Sequence, residues 1–159
     1  MRVLSSFQHL LLIGMPNAGK TYIGHYLSTL YNIPHYDMNQ ETKSYLPQNE
    51  SSLLEWYFYR KQEYQFLSRQ LQSSTPSIIS LGDGCIEYAP VYHLLYNQNV
   101  SFIIHVIPSQ QNPETIPLWM KRAKYYFSIS DIDYWNDRVS SPQSLLSEIK
   151  QELDKNKEN

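Results

Sequence analysis

Gly14-Met15-Pro16-Asn17-Ala18-Gly19-Lys20-Thr21 is the stretch on which the reading of the fold turns. Residues 10–13 before it are Leu-Leu-Leu-Ile. Unbroken apolarity without alternation suits a strand buried on both faces of a parallel sheet. After it, Ile23, Leu27, Leu30 and Tyr31 recur at helical spacing until Asn32 and Pro34 supply a stop. The octet satisfies G-x-x-x-x-G-K-[ST] in full. Gly14 and Gly19 let the backbone curl closely, so that successive N–H groups form an anion nest. The helix opening near Lys20 adds the positive end of its dipole. Lys20 brings a mobile cation for outer phosphates, and Thr21 a hydroxyl suited to Mg²⁺. A chance glycine turn is the plain alternative, and the strand before and amphipathic helix after argue against it.

Working outward, residues 33–36 read as a second strand ending on Asp37. Ser52-Leu53-Leu54-Glu55 has the form of a capping box, opening a helix that runs to about Gln72. Residues 73–76 break it, and 77–81 read as a strand leading into Gly82-Asp83-Gly84. A helix is expected over 87–97, a buried strand over 102–107, a helix within 117–127 and a short edge strand over 131–134. Ser141-Pro142 suits a helix start, with proline in the first turn. The tail from residue 150 onward reads as a frayed helix end. Strands alternating with helices indicate one three-layer α/β domain over residues 1–159, with a mostly parallel five-stranded sheet.

Composition narrows the function classes. With 159 residues the chain can bury a real core, and its formal net charge of −2 gives no global basic field for nucleic acid or an anionic membrane. No run approaches the ~20 apolar residues of a membrane span. The N-terminal apolar stretch is interrupted by Ser5, Ser6, Gln8 and His9, unlike a signal peptide. The single cysteine, Cys85, fits a reducing compartment and a small apolar packing role. His9, His25, His35, His93 and His105 have no zinc-ligand spacing. A cytoplasmic, monomeric protein is expected, acting on a nucleotide and a small molecule, without nucleic-acid or membrane partners.

The order of the remaining motifs resembles that of shikimate kinases. Asp37-Met38-Asn39 is similar to that family's D-x-D after the second strand. Tyr59-Arg60-Lys61-Gln62-Glu63 is similar to its F-R-x-x-E, and Gly82-Asp83-Gly84 to its glycine triplet. Arg122-Ala123-Lys124-Tyr125-Tyr126 resembles its R-x-P-L-Y. The resemblance spans residues 10–131 and implies the P-loop NTPase fold and transfer of the ATP γ-phosphate to shikimate. ATP would be held by Gly14, Asn17, Ala18, Gly19, Lys20, Thr21 and Tyr22, with Lys20 and Asp37 catalytic. Mg²⁺ would be held by Thr21 and Asp37, and the acceptor by Asn39, Arg60, Asp83 and Arg122.

The residues support parts of this independently. Asp37 lies 17 positions beyond Lys20 at a strand's C-terminal end, the edge where open α/β sheets bind ligands. Arg60 and Glu63 are three apart on one helix face, so Glu63 can hold a guanidinium for bidentate capture of a carboxylate. An ordinary surface ion pair is the bland alternative.

Three departures stand out. Asn39 lacks the charge of the family's second acid. Asp83 puts an acid where the family has glycine. Residues 108–121 are short for the family's helix and lid, and Ile116 stands where the lid arginine belongs. Arginines of that kind matter by ~10³–10⁵ in related chemistry. Two other readings therefore stay open: a degenerate kinase-like protein binding nucleotide or a partner, and another small-metabolite or nucleotide kinase.

Overall fold

The computed structural model describes residues 7–137 and 142–155. Ser141 of the expected helix start, the first six residues and the last four of the tail lie outside them. Five strands form one sheet: β1 (His9–Ile13), β2 (His35–Asp37), β3 (Ser77–Ser80), β4 (Ser101–Pro108) and β5 (Ile132–Asn136), in the order β2-β3-β1-β4-β5. Every pairing is parallel. The sheet is thus wholly parallel rather than mostly so. β5 extends two residues beyond the expected edge strand, which carries Asn136 to the sheet's C-terminal edge.

The helices are α1 (Lys20–Tyr31), α2 (Met38–Glu41), α3 (Leu53–Gln72), α4 (Ala89–Asn97), α5 (Ile116–Ile129) and α6 (Gln143–Lys155). Side chains alternate across a strand, so β1 feeds two cores. Leu11 and Ile13 pack on one face with Leu67, Leu71, Val91, Leu95 and Tyr126 from α3, α4 and α5. Leu10 and Leu12 pack on the other with Ile23, Leu27, Leu145 and Ile149 from α1 and α6. These two cores make the three layers.

Local chemistry sets the boundaries. Asn32 ends α1 in the left-handed conformation at φ 53°, which asparagine tolerates. β2 consequently starts at His35, two residues later than expected. Ser52 caps α3, its hydroxyl accepting from the Glu55 N–H at 3.2 Å. The reciprocal half of a capping box is absent, because Glu55 instead accepts from the Asn49 N–H at 2.9 Å. Glu87 belongs to a single 3₁₀ turn, Cys85–Glu87, and α4 begins after it. Among the described residues no helix is long and apolar enough to cross a membrane.

Candidate active site

The strand order switches sides at β1: β3 and β2 lie on one side, β4 and β5 on the other. Ligand crevices in open α/β sheets form at the strands' carboxyl ends beside such a switch. Here that crevice holds the loop from Gly14 to Gly19. Gly14 has φ 144°, and a Cβ there would collide with the Val106 carbonyl, so only glycine brings the loop this close to β4. Asn17 also takes positive φ, at 61°.

Lys20 is buried against its own loop. Its ammonium donates to the carbonyls of Gly14 at 3.0 Å and Met15 at 2.8 Å, and lies 3.2 Å from Asp83 Oδ1. The Ala18 N–H donates to the Met15 carbonyl at 3.2 Å rather than facing the crevice. A cavity of about 510 Å³ opens above, lined by Asn17, Gly19, Lys20, Thr21, Tyr22, Asp37, Asn39 and Asp83, with Ser80, Leu81 and Asn136. Eight of the residues picked from the sequence thus share one cavity, while Gly14 and Ala18 are buried beneath it.

Asp37 ends β2 and caps α2. Its Oδ1 accepts from the Asn39 N–H at 3.0 Å and its Oδ2 from the Thr21 hydroxyl at 2.8 Å. Two hard oxygens side by side at the open edge of a nest are a donor set that suits Mg²⁺ completed by water and phosphate.

Arg60 and Arg122 meet behind Gly84. A Cβ on Gly84 would stand 2.6 Å from Arg122 Nη2 and 2.9 Å from Arg60 Nη2, so the bare glycine leaves both guanidinium groups facing its backbone. Arg60 Nη1 donates to Glu63 Oε2 at 2.6 Å. Burial raises the pKa of the fully buried Glu63, and Arg60 opposes that rise. Arg122 is buried, and its Nε donates to Glu87 Oε2 at 2.9 Å. Burial works against charge on Glu87, but hydrogen bonds from Lys121 and Arg122 outweigh it and hold its pKa below the usual range. The Nη1 of Arg122 is buried without a hydrogen-bond partner among the described residues. A buried guanidinium N–H left open can accept an anion.

Asp83 faces the crevice. Besides the Lys20 contact, its Oδ2 accepts from Asn39 Nδ2 and its N–H donates to Asn39 Oδ1, both at 3.4 Å. Two further residues were not picked from the sequence. Asn136 donates to the Ala18 carbonyl at 3.0 Å across 118 positions and occupies the space a Gly19 side chain would need. Glu87 grips Arg122 from the adjoining 3₁₀ turn. Neither stands in a local motif, so only the folded chain reveals them.

Cys85 is fully enclosed and burial pushes its thiol pKa up, as suits packing rather than nucleophilic chemistry. No cluster of three or more metal-ligating His, Cys, Asp or Glu occurs among the described residues. The expected lid region is mostly helix. After β4 only residues 109–112 and the 3₁₀ turn Pro113–Thr115 precede α5, which Ile116 opens with Pro117 in its first turn.

The curated shikimate kinase of Flavobacterium psychrophilum is 30% identical over 94 residues, covering 57% of this chain and 55% of that protein. The chain therefore spans about half the length of that relative. The shikimate kinase of Enterococcus faecalis is 26% identical over 170 residues, covering 92% and 98%. The solved shikimate kinase of Acinetobacter baumannii in complex with shikimate superposes with a TM-score of 0.77 at 18% identity, covering 98% of both chains, and so shares the fold. The sequence pattern of the family described as Shikimate kinase matches residues 16–116, well over half of the chain and including most of the phosphate loop, Asp37, Arg60 and Asp83. On that match, the chain belongs to the shikimate kinase family.

Proposed function

We propose that this protein transfers the γ-phosphate of ATP to a hydroxyl of a small carboxylic acid, with shikimate the leading acceptor. The observation that carries the reading is the pair Arg60 and Arg122 converging behind Gly84, with a buried Arg122 N–H still open. That is a carboxylate clamp one residue beyond Asp83, which itself touches the phosphate-loop lysine. The related Acinetobacter enzyme, solved with shikimate, supports the choice of acceptor.

The loop amides and Lys20 would hold the nucleotide's outer phosphates, Lys20 leaving the Gly14 and Met15 carbonyls to do so. A second cavity of about 420 Å³, lined by Pro16, Asn17, Pro108, Ser109, Thr115 and Asn136, offers room for the nucleoside. Thr21 and Asp37 would hold Mg²⁺, which supplies charge neutralisation on the outer phosphates. Asn39 would hydrogen-bond an acceptor hydroxyl. Glu63 keeps Arg60 oriented, and Glu87 does the same for Arg122.

The test is coupled ADP release from the purified protein, with shikimate, gluconate and nucleoside monophosphates offered separately. Shikimate should raise release above the water-hydrolysis background. Arg60→Ala should abolish that increase, while Arg60→Lys, which keeps a charge beside Glu63 but loses the planar fork, should raise the shikimate KM at least about tenfold. A response confined to gluconate or a nucleoside monophosphate would move the acceptor to another class. The short connection from β4 to α5 supports a second reading, nucleotide binding without turnover, and it predicts no response to any acceptor.

A further inference from the structure

We infer that the carboxylate of Asp83 takes the proton from the acceptor hydroxyl, a role that rests on the phosphotransfer reading above. The position follows from what lies on either side of it. Toward the loop, Oδ1 is 3.2 Å from Lys20 Nζ, the cation that must turn to outer phosphates when nucleotide enters. Toward the acceptor, the next residue is Gly84, with Arg60 and Arg122 against it. A carboxylic acid gripped by those arginines has its hydroxyl directed back past residue 83 toward the phosphate. The side chain is 39% exposed and lines the cavity, so it can meet a bound molecule.

The neighbouring acids are committed elsewhere. Both oxygens of Asp37 accept hydrogen bonds, from Thr21 and from the Asn39 N–H. Glu63 is fully buried on Arg60, and Glu87 is bonded to Arg122 and Lys121. Asp83 is different: its strong partner is the lysine that nucleotide binding removes. Asn39 remains to steer it, through the Nδ2 contact to Oδ2 and the reciprocal bond from the Asp83 N–H. Binding of nucleotide therefore uncovers a carboxylate between the phosphate and the acceptor.

In the step itself, the hydroxyl oxygen forms its bond to the γ-phosphorus as its proton passes to Asp83 Oδ1. The bond from the γ-phosphorus to the β,γ-bridging oxygen breaks, and its electron pair leaves on ADP. The proton then leaves Asp83 to solvent through its exposed side.

This role gives Asp83 opposite effects on two measurements. As a counter-charge it holds Lys20 away from phosphate and repels the nucleotide, so Asp83→Asn should bind MgADP more tightly by calorimetry, about threefold or more. As the proton acceptor it is worth about 10²–10⁴ in rate, so the same variant should lose at least about 100-fold in kcat with the acceptor KM within about threefold. The double change Asn39→Asp with Asp83→Gly moves the carboxylate one contact away and should recover at least about tenfold over Asp83→Asn. Three outcomes would overturn the inference: kcat within about threefold of wild type, MgADP binding weakened in step with kcat, or a double variant that binds MgADP yet stays as slow as Asp83→Asn. A wild-type protein inactive toward every hydroxy acid would instead remove the phosphotransfer reading on which it rests.

Discussion

Gly84 offers a test of the proposed arginine clamp that removes neither arginine. Its φ of +77° and the two guanidinium nitrogens within 3 Å of a would-be Cβ leave no room for a side chain. Lys20 and the phosphate loop lie on the far side of Asp83. Gly84→Ala should therefore raise the acceptor KM about tenfold or more while MgADP affinity, measured by calorimetry, stays within about twofold. A parallel loss of nucleotide affinity would mean that the glycine shapes the phosphate loop instead. The physical basis is that a collision with a guanidinium displaces a planar hydrogen-bonding fork, and bidentate capture tolerates little displacement.

At the scale of elements, α5 is where this chain departs most from what a lid-bearing kinase needs. It follows β4 after a connection of only seven residues, 109–115. Ile116 brings no charge, Lys121 is bonded to Glu87 at 2.7 Å, and Lys124 lies over the Tyr125 ring. With less positive charge at the transferring phosphate and less cover against water, turnover should be slow and much ATP should hydrolyse without transfer. Single-turnover measurement checks this, and rapid, tightly coupled transfer would refute it. Lys121→Ala and Lys124→Ala would then identify a compensating cation. The elements that sequence made legible were those with local chemistry: the phosphate loop between its strand and helix, the Ser52 cap, and the continuous apolar run of β4. Arg60 and Arg122 were legible only as separate arginines, because their convergence at Gly84 depends on a turn that no periodicity announces. Asn136 and Glu87 gave no signal, since each acts on a partner far away in sequence. The direction of Asp83 is likewise set by residues far away in sequence, Lys20 and Asn39.

Across the whole molecule, three histidines stand on the sheet, His9 and His105 buried and His35 half-buried. His9 in β1 is fully buried and meets the Ser77 hydroxyl at 2.8 Å. His35 in β2 meets the Ser80 hydroxyl at 2.8 Å, and that hydroxyl in turn donates to the Lys20 carbonyl at 3.3 Å. His105 in β4 is 1% exposed and stacks on Tyr126. Burial lowers all three pKa values from the ordinary 6.5, for His35 with help from His25 and for His105 against the pull of Asp133. A lowered folded-state pKa means that the unfolded chain binds more protons once the pH falls to about 6.5, so acid favours unfolding. This contribution to stability is fully present above that pH and is lost as the pH drops toward the folded-state values. Glu63 and Asp131, whose pKa values burial raises, act with the opposite sign, so a histidine variant is needed to isolate the rings' share. The melting temperature should therefore fall between about pH 7 and pH 5.5, a range in which ordinary carboxylates contribute little. His105→Gln, which takes up no proton, should flatten part of that slope even if it lowers stability at neutral pH. Calorimetric melts at four or five pH values would decide it. A melting temperature constant across the window, or a slope unchanged by His105→Gln, would mean that these rings are protonated as easily inside the sheet as outside it.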